Sequence, residues 1–194
     1  MTEKSAHHHG NLRPALIAAG IDILETEGLQ HLSLRRVAAK VGVSHAAPAH
    51  HFHGKNGLLA AIAAEGFRTF IRLMKEGRSA AGPDPRAQLL GICDGYMTFA
   101  QDHAALFQLI FSPEIKNDPD ADLQSVAQAS FGVLVETCAL FEPAPSHPLA
   151  NEMMIWSLVH GFATLRRFHG SVPPQSATPI TFADILPQLT PRRR

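Results

Sequence analysis

The stretch that most constrains this chain is Ser33–Lys55, SLRRVAAKVGVSHAAPAHHFHGK. Ser33 has the side chain to cap a helix, and Leu34, Val37, Ala38 and Val41 recur at helical spacing on one face. Gly42 stops that helix, because glycine enters the left-handed region at little cost. Ser44 is placed to cap a second helix from His45 to His51, with Val41, Val43 and Phe52 closing the core between the two. Pro48 falls at the edge of the first turn, where a missing N–H goes unnoticed, so a distorted or 3₁₀-like turn is expected there rather than a break. Two short helices around a glycine turn describe a helix-turn-helix, whose second helix enters the DNA major groove. An ordinary helical hairpin with a solvated basic face has the same pattern.

Charge favours the first reading. No acidic residue lies between Glu27 and Glu65, while the same window holds Arg35, Arg36, Lys40, Lys55 and the histidines 31, 45, 50, 51 and 53. A surface without carboxylates can approach phosphates, and its cations gain by releasing condensed counterions. Only this local distribution carries the argument, because the formal net charge of the 194-residue chain is zero.

Hydrophobic residues make up 45% of the chain, enough for a sizeable core in one large domain or two smaller ones. Cys93 and Cys138 lie far apart inside apolar helical patterns and read as buried free thiols. Met1 to Asn11 is polar, without the apolar centre of a signal peptide, and no apolar run reaches membrane-spanning length. These features fit a reducing cytoplasm and no membrane partner.

Along the chain, helical periodicity dominates. Asn11 to Glu27 forms a first long helix, capped by Asn11, with Leu12, Leu16, Ala19 and Ile23 on one face and Gly28 at its end. It would brace the two helices that follow. Lys55 starts a helix running to about Arg78, long enough to pass from one bundle into the next and carry a rotation between them. Ser79 to Pro85 is a loop; helices follow over Arg86–Gln101, Asp102–Phe111 and Asp120–Phe141, with a proline-bearing loop at Ser112–Pro119. Leu149–Phe168 is the last long helix, apolar over much of its circumference, as suits a subunit interface. Gly170 to Pro179 reads as flexible, Ile180 to Leu189 as one or two helical turns, and Pro191 to Arg194 as a basic tail without a DNA role. The expected fold is all-α: a DNA-binding domain over residues 1–54, and a ligand-binding and dimerisation domain over 55–194.

Three segments carry a family resemblance: HHGNLRPALIAAGIDILETEG at His8–Gly28, LSLRRVAAKVGVSHAAPAHHFHGKNGLLAAI at Leu32–Ile62, and the pair HAALFQLIFSPE at His103–Glu114 with WSLVHG at Trp156–Gly161. Together they resemble the TetR family of bacterial transcriptional regulators, in the subgroup with a C-terminal Trp-x-x-x-His-Gly signature. The resemblance implies a homodimer, each subunit joining a three-helix DNA-binding domain to a larger helical domain that pairs through a four-helix bundle. It implies a repressor on a palindromic double-stranded DNA operator, released when a small effector binds the larger domain.

Carried over by position, the resemblance puts Arg35 at a base edge, with guanine its natural partner. Ser44 would bind phosphate, and His45 and Ala46 would meet bases. His50 and His51 would contact phosphate, Lys55 would do so at a helix N-terminus, and Arg36 is a further phosphate contact. The family often has an aromatic residue, usually tyrosine, where this chain has Ala49; that puts affinity in doubt rather than mode. For an apolar effector, the candidates are Tyr96, Phe107, Ile110, Phe111, Phe131, Trp156 and His160, mostly aromatic with a few polar tips. Each also suits a plain core position.

Other functions find little footing. Cys93, Asp102 and His103 could be imagined as nucleophile, orienter and base, but adjacent side chains on a helix diverge and no strand-to-helix elbow presents the cysteine. No cofactor or metal is expected: His7, His8 and His9 cannot all face one ion, and His50, His51 and His53 have a competing use on the DNA face. A metal or redox sensor on the same scaffold is the alternative reading.

Overall fold

A computed structural model describes residues 12–116, 118–169 and 180–192. The expected cap Asn11, the histidines 7–9, the segment 170–179 and Arg193–Arg194 lie outside them. The described residues are all-helical, apart from one isolated antiparallel bridge between Phe141 and Pro191. They divide into two compact units, each assembled from two stretches of chain. The first joins the residues up to Gly66 with Ala104–Ser125; the second joins Phe67–His103 with the residues from Val126 onward.

In the first unit, α1 (Leu12–Glu27) buries Leu16, Ile17, Ala19, Ile23 and Leu24, the predicted face. Gly20 lets it pack closely, since a Cβ there would stand 2.6 Å from Ile62 Cδ1. The Ser33 side chain accepts from the Arg36 amide at 3.3 Å and opens α2 (Leu34–Val41). Gly42 closes it at φ 78°, ψ 29°. Its amide donates to the Ala39 carbonyl and that of Val43 to Ala38, so the last carbonyls are satisfied in a Schellman pattern.

The second helix of the motif differs from expectation. In place of a helix over 45–51 there is a single 3₁₀ turn, Ala47–His50. An α-helical turn would drive the Pro48 ring into the Ser44 carbonyl; instead that carbonyl accepts from Ala47 and the chain keeps i→i+3 bonds. Ser44 is not the side-chain cap: Ala46 occupies that position, with no side-chain capping bond. Core closure also shifts. Val41 and Val43 are only half-buried, while Val37, Ala38, Pro48 and Phe52 are buried.

A third helix, α3 (Gly54–Ala80), supplies residues to both units. In the first unit, Gly66 stands against Ile110 and Leu106 of α5 (Ala104–Ile110), with a Cβ position 3.1 Å from Ile110 Cγ2. The Glu25 carboxylate accepts from the Ala105 and Leu106 amides at 3.0 and 3.1 Å, joining α1 to the first turn of α5. The Ser112–Pro119 segment, expected as a loop, holds one helical turn, α6 (Pro113–Lys116).

In the second unit, Asp84 caps α4 (Pro85–Asp102), its carboxylate 2.7 Å from the Ala87 amide and Pro85 in the first turn. Here α3 and α4 touch backbone to backbone: a Cβ on Gly91 would lie 2.3 Å from the Gly77 carbonyl oxygen, and one on Gly95 equally close to that of Leu73. Helix α4 also packs on α8 (Ala150–His169). Helix α7 (Ala121–Cys138) ends three residues earlier than expected. One turn, α9 (Phe182–Ile185), sets Phe182 against Phe162, ring centroids 5.6 Å apart. The basic tail is used on its own chain: the Arg192 amide donates to Leu140, its Nε to Phe141, and the Glu142 amide to Thr190.

Candidate nucleic-acid interface

Every residue expected at DNA belongs to the first unit. Arg35 is exposed on α2, and Lys55 is exposed in the first turn of α3. Ser44, His45, Ala46, Ala49 and His50 are exposed, and His51 is half-buried beside Phe52, their rings 6.4 Å apart. The 3₁₀ turn anchors this display: Pro48 and Phe52 are buried while Ala49 and His50 between them are exposed.

The charge on this face is smaller than the acid-free window suggests. Two carboxylates from α1 reach across: Glu27 pairs with Arg36, and Asp22 with Lys40. Both pairs are exposed and worth roughly 0–1 kcal/mol, so phosphate can compete for either cation. A phosphate at Arg36 would have to displace Glu27. No local pattern encodes these pairs, because the neutralising groups lie on the preceding helix. Nor does one mark Arg13, whose guanidinium stands 5.6 Å over the Phe52 ring, or Glu25, whose two amide partners lie some eighty residues away.

The seven residues expected at an effector fall into two groups. Tyr96, Phe131, Trp156 and His160 belong to the second unit; Phe107, Ile110 and Phe111 belong to the first. In the second unit, the Tyr96 hydroxyl is 2.7 Å from His160 Nδ1, and Trp156 lies one turn before His160 on α8. Trp156 in turn lies against Phe131 at 5.4 Å, and Phe70 meets the Tyr96 ring edge-on at 4.9 Å. Burial pushes the Tyr96 hydroxyl well above its usual range and holds the His160 imidazole below its own. The result is a short polar string inside an apolar unit. In the first unit, Phe107 and Ile110 are buried and Phe107 packs on half-buried Phe111.

Neither thiol suits nucleophilic or redox work. Cys93 and Cys138 are buried, and burial raises both, Cys138 to about 12, so neither carries thiolate at neutral pH. His103 packs on the Phe99 ring at 5.5 Å. Among the described residues, no group of three or more His, Cys, Asp or Glu side chains could hold a metal ion, and no helix is long and apolar enough to cross a membrane.

Comparison with known proteins places this geometry. Residues 16–62 match the family described as bacterial regulatory proteins, tetR family, and residues 89–185, half of the chain, match the tetracyclin repressor-like C-terminal domain. The HTH-type transcriptional regulator BetI of Stenotrophomonas maltophilia is 37% identical over 87 residues, 43% of this chain and 42% of that protein. BetI of Yersinia pestis (strain Pestoides F) is 32% identical over 94 residues, 48% of each chain. The matched part thus spans less than half the length of these curated relatives. Among solved structures, a protein of unknown function from Rhodococcus sp. RHA1 superposes with a TM-score of 0.74 at 28% identity, over 88% of this chain and 91% of that one. A TetR-like transcriptional regulator from the same organism shares the fold at a TM-score of 0.60 and 20% identity, over 91% and 92%. The matched families and curated relatives are regulators of transcription, not enzymes. With a helix-turn-helix matched at one end and half its length matched at the other, the chain belongs to the TetR family of bacterial transcriptional regulators.

Proposed function

We propose that this chain is a ligand-responsive repressor that binds a palindromic operator as a homodimer in the cytoplasm and is released by a small apolar effector. Residues 1–54 form the DNA-binding domain in this reading, and 55–194 hold the effector and the dimer contact. The observation that carries it is the display around Gly42: a capped α2 presenting Arg35, a left-handed turn, exposed His45 and Ala46, and a 3₁₀ turn presenting His50. Arg35 reads a base edge, Ser44, His50, His51 and Lys55 hold phosphates, and His45 and Ala46 meet bases. Half-sites about one helical turn apart, on the order of 35 Å or more, would match the two-fold symmetry.

Support for the dimer comes from α8. Met153, Ser157, Gly161 and Leu165 recur every four residues, the spacing of a packing ridge. Met153 is 50% and Leu165 57% exposed, and nothing lies within 4 Å of where a Gly161 Cβ would stand. An apolar ridge with a gap is shaped for a second helix. For the effector, the reading assigns Tyr96, Trp156 and His160 of the second unit as polar contacts and Phe131 as an apolar wall.

The test is binding of the purified protein to duplex DNA from just upstream of its own gene, across a salt series. Specific binding with a steep fall of log affinity against log salt is expected. Arg35→Ala should lose sequence discrimination, costing about 1–3 kcal/mol at the site. Lys55→Ala should weaken all sequences alike and reduce the salt slope by about one unit. Absence of specific binding in low salt, persisting after Ala49→Tyr, would refute the reading.

A further inference from the structure

We propose that the DNA affinity of this protein is set by pH, through four histidines clustered between α2 and α3. The proposal rests on the DNA-binding reading above and adds a regulation to that surface. Its basis is a charge inventory. Of the four permanent cations on α2 and the first turn of α3, Arg36 and Lys40 are paired with Glu27 and Asp22. Arg35 and Lys55 make no ion pair among the described residues, while Arg36 and Lys40 reach phosphate only by giving up their carboxylates. Between them the chain presents His45, His50, His51 and His53 within nine residues, three exposed and His51 half-buried against Phe52.

The elements packed here offer Arg13, Asp22, Glu25 and Glu27 on α1, His31 on the turn before α2, Arg35, Arg36 and Lys40 on α2, and Lys55 on α3. The three carboxylates are already engaged, two by cations and Glu25 by the α5 amides. Among the described residues, none of the four histidines is in an ion pair. A neutral imidazole gives phosphate one hydrogen bond; an imidazolium adds a full charge and displaces a counterion. Phosphate in turn favours the charged form, so binding takes up protons and affinity rises as pH falls. Four imidazolium charges would add to the permanent cations already on this face.

The experiment measures affinity for the upstream duplex and for a scrambled duplex at pH 6.0 and pH 8.0, each over a salt series, with circular dichroism checking the fold at both. The log–log salt slope is expected to steepen at pH 6.0 by about two units or more, since each added phosphate contact contributes about 0.9. At fixed moderate salt, affinity should rise at least tenfold. His50→Gln with His51→Gln, and separately His45→Gln with His53→Gln, should each remove part of that difference. Calorimetry on the unsubstituted protein at pH 6.5, in two buffers of different ionisation heat, should show net proton uptake on binding. Equal slopes at the two pH values, no proton uptake, or a pH dependence that survives both double variants would each overturn the proposal while leaving DNA binding intact. No specific binding at either pH would overturn the DNA-binding reading itself.

Discussion

Gly42 holds a left-handed conformation in open space, with no heavy atom within 4 Å of a Cβ built on it. A side chain there meets only the backbone penalty of that region, so Gly42→Ala should cost about 1 kcal/mol and Gly42→Asn less, read from thermal melts. His160 is a residue where pH enters stability. Burial holds its imidazole below the ordinary value of 6.5, so the unfolded chain binds a proton before the folded one does. Stability is therefore full above that value and declines as pH falls through it toward the folded one. The fall in melting temperature from pH 7.5 to 5.5 should be smaller in His160→Gln than in the parent; parallel curves would show that another group is responsible. The contacts of these two residues were unequally legible. A glycine after a helical run announces its backbone state, whereas the hydrogen bond from Tyr96 to His160 joins residues sixty-four apart, and no local pattern encodes it.

Caps make α2 readable as an element. Its eight residues are too few to persist alone, and Ser33 satisfies one of the amides its start leaves without partners. Ser33→Ala should destabilise the protein by about 1 kcal/mol, with Ser33→Asp largely preserving it, as denaturant midpoints would report. The recognition element was legible in place, and the 3₁₀ turn expected at Pro48 is there; the helix over 45–51 and its Ser44 cap are not. Ser44 has a capping side chain and Pro48 a tolerable position, yet the proline ring decided the hydrogen-bonding pattern and left Ser44 outside the capping role. The α3–α4 crossing was illegible for the opposite reason. Gly77, Gly91 and Gly95 read as weak points within helices, since glycine costs each helix up to about 1 kcal/mol relative to alanine. Their value appears only where two backbones meet. Gly91→Ala would set a methyl 2.3 Å from a carbonyl oxygen that cannot rotate away, forcing the helices apart. A loss of about 1–3 kcal/mol is expected, larger than at Gly42 despite unstrained dihedrals.

At the scale of the whole molecule, the apolar ridge on α8 is the feature most directly tied to assembly. If it seats a second copy, Met153→Glu with Leu165→Glu should convert a dimer to a monomer in light scattering while leaving the helical signal unchanged. A dimer that survives the double charge would place the interface elsewhere. The all-helical class and the helix order were legible because periodicity and caps are local properties of sequence. The division into units was not, because it depends on where the chain goes after α4. Residues 104–125 return to the first unit, and the Glu25 carboxylate meets them there with two hydrogen bonds. That return has a consequence for how such regulators can be recombined. A hybrid that took its first 66 residues from this chain and the rest from a distant relative would inherit Glu25 with foreign amides opposite it, and Gly66 facing a foreign side chain in place of Ile110. The seam that looks natural in the gene, after the helix-turn-helix, cuts through a packed body. A working exchange would have to carry residues 104–125 along with the first 66, splicing the chain at two further places, so that change is more readily absorbed by substitution within a unit than by wholesale exchange.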